Sequence, residues 1–263
     1  MNPQTKNTLP SYSILGKVFS GRTYSLWIGG AATFFFSLGL LWHILPFTTA
    51  LVRPLTPYML LVFGVLVLAP FITMEGYRML LWSVMSYVAG FALEAAGVAT
   101  GAIFGPYEYS SVLGKNIFRV PPIIGFNWIV VIAGCAALAA FLIDRSRLAF
   151  LIAAQGKEAA PRKRLHGIRR ILAVAVLAGI LSAAFDWVME PAAIALGYWN
   201  WLVPEIPLRN YMTWFLFSAV SAGVWAALVR NPDRKFPLQS WYLLVQILFF
   251  TGIRIAVAFG ALF

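Results

Sequence analysis

The stretch Gly90–Pro122, GFALEAAGVATGAIFGPYEYSSVLGKNIFRVPP, begins inside a hydrophobic segment and leaves it through a turn rich in glycine and aromatic residues. It places Glu94 where hydrocarbon is expected. A carboxylate inside an apolar span is costly, so Glu94 is a candidate functional residue, with a capping or pairing role in the bundle as the alternative. Gly97, Gly101 and Gly105 recur every four residues, which predicts a bare strip on one helix face.

The composition of the 263-residue chain is that of an integral membrane protein. Hydrophobic residues make up 61% of the chain and charged residues 11%, whereas soluble domains are about 45–50% apolar. In a soluble protein, the net charge of +11 would favour nucleic acid as a partner. In a membrane protein, the positions of the charged residues in the loops have to be considered first. The single cysteine, Cys135, excludes an intrachain disulfide, and no Cys/His spacing predicts a metal site.

Seven apolar segments are long enough to cross a bilayer, which takes about 20 residues. Backbone groups in hydrocarbon must be satisfied within their own segment, so these spans are predicted to be helices. The sequence therefore predicts an all-α polytopic membrane helix bundle in one integral membrane domain, residues 1–263. The predicted spans lie near 24–46, 55–74, 78–98, 122–143, 171–189, 208–229 and 238–258.

The basic residues predict how this bundle is oriented. With the N-terminus in the cytoplasm, 15 of the 20 Lys and Arg residues fall on cytoplasmic segments, including the run PRKRLHGIRR at 161–170. This asymmetry predicts an N-in, C-out, multi-pass protein of the cell membrane, with a cytoplasmic N-terminal segment at 1–23 and a basic cytoplasmic loop at 144–170. It excludes nucleic acid as a partner and favours anionic membrane lipids near the basic run.

Three carboxylates are predicted to converge near the outer side of the membrane. Glu94 lies about 16 residues into the third span and Asp186 about 16 into the fifth, so both are roughly 24 Å from the inner side. Asp186 and Glu190 are four residues apart and therefore share one helix face. Pro191 follows directly and is expected to kink or end the helix.

Two further stretches add aromatic and amide side chains at the same depth. The fifth span ends in AFDWVMEPAAIALGYWNW, whose Trp199 and Trp201 also suit an interfacial aromatic belt. The sixth span opens with VPEIPLRNYMTW, which supplies Asn210 and Trp214. An asparagine just inside a span usually hydrogen-bonds a neighbouring helix.

Together these stretches resemble the membrane-bound carotenoid hydratases, carotenoid biosynthesis proteins of the carotenoid 1′,2′-hydratase and bisanhydrobacterioruberin hydratase type. The resemblance covers roughly residues 78–229, and the chain departs from the pattern at Glu205-Ile206 and Thr213, where glycine is usual. The matching residues are Glu94, Gly97, Gly101, Phe104, Gly105, Tyr107, Tyr109, Leu113, Gly114, Val120, Pro121, Trp128, Asp186, Pro191, Gly197, Tyr198, Trp199, Trp201, Pro207, Leu208, Asn210 and Trp214.

The resemblance implies a cofactor-independent hydratase, a lyase that adds water to the terminal C1–C2 double bond of a carotenoid ψ end group. Its partners would be a carotenoid entering from the bilayer, water, membrane lipids and other enzymes of the carotenoid pathway. A carboxylic acid surrounded by hydrocarbon can keep its proton near neutral pH, as protonation of an alkene requires. Asp186 is the predicted acid, Glu94 the partner that orients water and stabilises the cation, and Glu190 the reserve. The predicted substrate-binding residues are Tyr107, Tyr109, Trp187, Trp199, Trp201, Asn210 and Trp214.

Three other functions remain open on the sequence alone. A cofactor-free carotenoid cyclase or isomerase would use the same protonation and exclude water. A proton-coupled transporter would use Glu94, Asp186 and Glu190 as a relay, but no inverted repeat or matched pair of broken helices is present. A structural or assembly membrane protein would need no chemistry from these residues.

Overall fold

The computed structural model describes residues 22–154, 162–229 and 237–260. Within these residues, seven helices are long and apolar enough to cross a membrane, which confirms the predicted all-α membrane bundle. The elements in chain order are α1 (Arg22–Ile44), α2 (Pro46–Val52), a 3₁₀ turn (Arg53–Leu55), α3 (Thr56–Glu75), α4 (Tyr77–Thr100), β1 (Tyr107–Tyr109), α5 (Pro122–Ala154), α6 (Arg162–Ala195), β2 (Trp199–Trp201), α7 (Leu208–Leu228) and α8 (Leu238–Ala258).

The helix α6 differs most from its predicted span. Its end was predicted near Met189, before Pro191, but the helix continues through the proline to Ala195. Proline removes the hydrogen bond to the carbonyl four residues earlier, which here belongs to Trp187. The guanidinium of Arg254 on α8 donates to that carbonyl at 3.1 Å. A side chain thus supplies the donor that the proline removes.

The predicted glycine strip on α4 is wrong. The helix ends at Thr100, and Gly101 has the left-handed φ of 63° that terminates it, its N–H donating to the Gly97 carbonyl at 2.8 Å. Of the three glycines, Gly97 alone lies within the helix, and a Cβ there would come within 2.5 Å of the Phe104 ring. The close approach is thus made by a ring of the following loop and not by a second helix.

The helix α5 is the centre of the bundle. It packs against α3, α4, α6, α7 and α8, and the side chains from Trp128 to Ala137 are all buried. Such burial suits a helix that is hydrophobic around its whole circumference. The Ser240 hydroxyl of α8 donates to the Gly134 carbonyl of α5 at 3.2 Å. Polar side chains thus link helices whose packing surfaces are otherwise apolar.

The two ends of the bundle are chemically different. At one end β1 and β2 pair antiparallel, and we call this end the ribbon end. At the other, which we call the basic end, the Arg170 guanidinium of α6 binds both carboxylate oxygens of Asp144 on α5 at 2.7 Å. The residues 170–195 of α6 separate the two ends by roughly 37 Å, so the loop 101–121 and the start of α6 lie at opposite ends of the bundle.

Parts of two predicted segments fall outside the described residues. The N-terminal segment 1–23 is described only from residue 22, and residues 155–161 of the predicted basic loop are not described. On either side of that gap, the loop's predicted flanks are helical, as the end of α5 and the start of α6. The assignment of the basic end to the cytoplasm stays a prediction.

Candidate functional site

A cavity of about 60 Å³ lies at the ribbon end, enclosed by α3 to α8 and the ribbon. This volume has room for a few water molecules. Its wall contains the three carboxylates that the sequence singled out, Glu94, Asp186 and Glu190, with 4%, 0% and 3% of their surface exposed. Buried carboxylates need hydrogen-bond donors or a proton, so the partners of each one indicate its state.

Glu94, two turns before the end of α4, accepts hydrogen bonds from three uncharged donors. The hydroxyls of Tyr107 and Tyr109 both donate to its Oε2, the latter at 2.9 Å. The indole N–H of Trp128 on α5 donates to Oε1 at 2.9 Å. All three partners are donors to Glu94, which is the environment of an ionised carboxylate.

Glu190, on the last turns of α6, has a similar set of donors. The indole N–H groups of Trp199 and Trp201 donate to its Oε2 at 3.0 and 2.9 Å. The amide of Asn210 on α7 lies 3.5 Å from its Oε1 and completes the set. Glu190 is therefore also surrounded by donors, although the amide contact is long.

Asp186 differs from both glutamates because its hydrogen bonding is incomplete. Its Oδ2 accepts from the Asn210 amide at 2.5 Å. Its Oδ1 is buried and has no hydrogen-bond partner among the described residues. Since Asn210 also reaches Glu190, one amide links the two carboxyl groups of α6. Asp186 is thus the least satisfied of the three acids.

The ribbon provides four of these donors from one face. Tyr107 pairs with Trp201 and Tyr109 with Trp199, and alternate residues of a strand point to the same side. The intervening residues of each strand, Glu108 and Asn200, face outward and are exposed. The sequence motifs YEY and WNW therefore place two phenols on Glu94 and two indoles on Glu190.

Burial keeps the ribbon phenols in their donor form. Desolvation and the neighbouring Glu94 carboxylate raise the pKa of both Tyr107 and Tyr109 above the ordinary value for tyrosine. A tyrosine already ionises only near pH 10 in water. Both hydroxyls therefore carry their protons at any physiological pH and act as fixed donors to Glu94.

Aromatic rings form much of the remaining wall. The rings of Trp128 and Trp214 stack with centroids 3.8 Å apart, which joins α5 to α7 beside the cavity. The rings of Tyr107 and Trp201 lie 5.1 Å apart in the ribbon. Ring faces stabilise a nearby cation by about 0.5–2 kcal/mol each. The wall thus combines carboxylates with surfaces that tolerate positive charge.

Six of the seven predicted substrate-binding residues line this cavity, and Trp187 is the exception. It is 57% exposed on the outer surface of α6, because one residue further along a helix points about 100° away from the buried Asp186. The Arg254 guanidinium lies 4.6 Å above its ring. The six are Tyr107, Tyr109, Trp199, Trp201, Asn210 and Trp214.

The wall also contains polar residues for which the sequence predicted no role. Trp128 belonged to the family pattern, but nothing marked its indole as a donor to Glu94. Asn127 beside it and Gln246 on α8 also line the cavity. Both are amide side chains inside apolar spans, and this is the sequence feature that could have identified them as candidates. Within the described residues, no three His, Cys, Asp or Glu side chains are grouped closely enough to hold a metal ion.

Comparison with known proteins gives a family for the chain. Searches of curated proteins and of solved structures return no match. A family model described as "Carotenoid biosynthesis protein" matches residues 55–262, which include every element that contributes to the cavity. The match supports a role in carotenoid biosynthesis for a protein of seven apolar helices. The chain belongs to the carotenoid biosynthesis protein family.

Proposed function

We propose that this protein hydrates the terminal C1–C2 double bond of a carotenoid ψ end group. The observation that carries the proposal is the contrast among the three buried acids of the cavity. Glu94 and Glu190 are surrounded by donors, whereas Asp186 has an Oδ1 without a partner among the described residues. An unpaired buried carboxyl oxygen costs less free energy when the group is protonated than when it is charged.

Asp186 is the general acid in this proposal. A protonated carboxyl donates one O–H and still accepts at its other oxygen. The Asn210 amide occupies Oδ2, which leaves Oδ1 to carry the proton toward the cavity. Hydrocarbon surroundings on α6 favour the neutral form of such a group. The location of Asp186 in the cavity wall supports its role as the acid that protonates an alkene carbon.

Glu94 is the carboxylate that orients water and stabilises the cation. A carboxylate has about four acceptor positions. Its partners Tyr107, Tyr109 and Trp128 use three of them and leave one on Oε1. That position can accept a hydrogen bond from the attacking water, while the negative charge stabilises the cation.

The reaction then conserves atoms and protons. Asp186 gives its proton to C2, the π electrons of C1=C2 form the new C–H bond, and a tertiary cation remains at C1. The water oxygen bonds to C1, and its released proton passes to Glu94 or Glu190. Asn210 links Asp186 and Glu190, so a proton on Glu190 lies beside the acid that must be reloaded. The net change is the addition of one water.

Polar wall residues support hydration over cyclisation. A cyclase must exclude water from the cation, whereas a hydratase must hold it. Asn127 and Gln246 line the cavity and offer both donors and acceptors to water. The cavity is far too small for a whole carotenoid, so only the end group would enter it and the remaining polyene would extend into the bilayer.

Product analysis tests the proposed reaction. The protein is expressed in a host that makes an acyclic carotenoid with ψ end groups, and the pigments are analysed by mass spectrometry. We expect a gain of one water per reacted end with the wild type, and no gain with Asp186→Asn. An isomer of unchanged mass would overturn hydration in favour of cyclisation. Unchanged pigment with folded protein in the membrane would overturn both.

A further inference from the structure

The last turns of α6 contain a break in their backbone hydrogen bonding beside two of the acids. Pro191 directly follows Glu190 and has no N–H to donate. The carbonyl that would have accepted that bond belongs to Trp187, which directly follows Asp186. One turn of helix therefore carries Asp186 at its start, Glu190 near its end and, between them, a carbonyl that lacks its backbone donor.

Arg254 repairs this break from a different helix. Its Nη1 donates to the Trp187 carbonyl at 3.1 Å, and its guanidinium lies 4.6 Å from the centre of the Trp187 ring. Arg254 is the one charged residue in the sequence of α8. A cation within a membrane span is costly, so an arginine at this position needs a specific interaction. The carbonyl and the ring face together supply that interaction.

A second proline in the bundle shows the same break with a different repair. Pro70 lies inside α3, and the carbonyl four residues before it belongs to Leu66. The hydroxyl of Tyr24 on α1 donates to that carbonyl at 2.7 Å. An uncharged donor is sufficient to repair α3, a helix that carries none of the three acids. The bundle thus contains a matched internal control for the repair at α6.

We propose that Arg254 is a positioning residue, which fixes the turn of α6 that carries Asp186 and Glu190 by binding the carbonyl left free by Pro191. This inference rests on the proposed hydration. Arg254 does not line the cavity, so it acts through the helix and not on the substrate. Its hydrogen bond sets how far the turn opens at the proline, and hence the direction of both carboxyl groups.

Small movements of this turn would have large effects on rate. Asp186 Oδ2 lies 2.5 Å and Glu190 Oε1 lies 3.5 Å from the same Asn210 amide. The second distance is at the limit of a hydrogen bond, so a slight opening of the turn would separate the two acids. Misplacing a catalytic group by about 1 Å can cost about a hundredfold in rate.

A double-mutant cycle between Arg254 and Pro191 tests the inference. Pro191→Ala restores the backbone N–H, so the Trp187 carbonyl no longer needs Arg254. We expect Arg254→Met to lower the hydration rate per folded protein about tenfold or more in the wild-type background and about twofold or less in the Pro191→Ala background. The loss should fall on kcat, with KM for the carotenoid nearly unchanged, because Arg254 does not contact substrate.

The control separates positioning from general stability. Tyr24→Phe removes the corresponding repair in α3 and should lower the melting temperature while keeping the rate per folded protein. Equal loss from Arg254→Met in both backgrounds, or no loss, would overturn the inference. If Arg254→Met does not accumulate, Arg254→Leu, which also has no donor, replaces it under the same criterion. A wild type that forms no hydrated product would instead overturn the proposed function.

Discussion

Carboxylates at the two ends of the bundle have opposite kinds of partner. At the basic end, Asp144 forms a bidentate ion pair with Arg170, and both side chains are partly exposed. At the ribbon end, Glu94, Asp186 and Glu190 are buried, and the hydrogen bonds described for them come from uncharged phenol, indole and amide donors. The same residue type is thus held by charge at one end and by neutral donors at the other.

The two kinds of hydrogen-bond partner suit the carboxylates at the two ends to different roles. At the basic end, the guanidinium of Arg170 occupies both carboxylate oxygens of Asp144. At the ribbon end, neutral donors hold the three acids in defined positions around the cavity. In the proposed mechanism, a proton moves among these acids. The basic end gives a mechanical link between α5 and α6.

The largest expected effect comes from changing the acid itself. Asp186→Asn keeps the size of the side chain and removes the transferable proton, so hydration should fall by about 10²–10⁴. Asp144→Asn is the matched change at the basic end and should leave the rate per folded protein unaltered. Pigment analysis of both variants at equal folded-protein levels measures this. Equal losses in the two variants would show that the loss does not come from a special role of Asp186 at the ribbon end.

Glu94→Gln should give the next largest effect. The variant places an amide NH₂ among three donors and removes the negative charge opposite Asp186. We expect a loss of about a hundredfold or more, the usual cost of losing an electrostatic stabiliser. The double variant with Asp186→Asn should be little worse than either single variant, because the two residues act as a unit. If the losses multiply in the double variant, the two residues contribute independently to the rate.

Removing one donor from Glu94 should have an intermediate effect. Tyr109→Phe leaves Tyr107 and Trp128 in place, so the carboxylate keeps two of its three described partners. A hydrogen bond to a charged group contributes about 1.5–3 kcal/mol, which corresponds to a loss of about 10- to 100-fold. Initial rates with the carotenoid substrate measure it. A rate equal to that of the wild type would show that the phenol is structural only.

The smallest effect is expected at the outward-facing acid of the ribbon. Glu108 lies between Tyr107 and Tyr109 in sequence, yet its side chain is exposed. Glu108→Gln should change the rate by about twofold or less, as surface substitutions usually do. The same pigment assay applies. A severe loss in Glu108→Gln, with Asp186→Asn still active, would mean that the proton comes from the solvent-exposed side of the ribbon.

The spans were predictable because their signal is local. Apolar length and the bilayer requirement gave the seven spans, and the 1.5 Å rise per residue gave the shared depth of Glu94 and Asp186. The donor to the Trp187 carbonyl in α6 was not predictable, because Arg254 lies on another helix and 63 residues beyond Pro191 in the chain. A proline indicates a break, but not the side chain that repairs it.

The site was predictable in its acids but not in its donors. Aromatic residues near a membrane interface suit a belt as well as a site, and three-residue strands are too short for periodicity to identify. The pairing of Tyr107 with Trp201 joins residues 94 positions apart, so it follows from how α4 and α6 each pack against α5 and α7. The sequence therefore predicted Tyr109 and Trp199 as substrate contacts, whereas the structure uses both as hydrogen-bond donors to carboxylates.

The distribution of donors along the chain has a consequence for membrane insertion. Glu94 receives the three donors described here from residues that precede 154, while the donors to Asp186 and Glu190 follow residue 162. The backbone pairing of the ribbon then joins the two halves. A ribosome delivers the first half before the second, so the three described donors to Glu94 are synthesised before Asp186 is made. The acid with the unpaired oxygen thus enters the membrane after the opposite wall of its cavity has been synthesised.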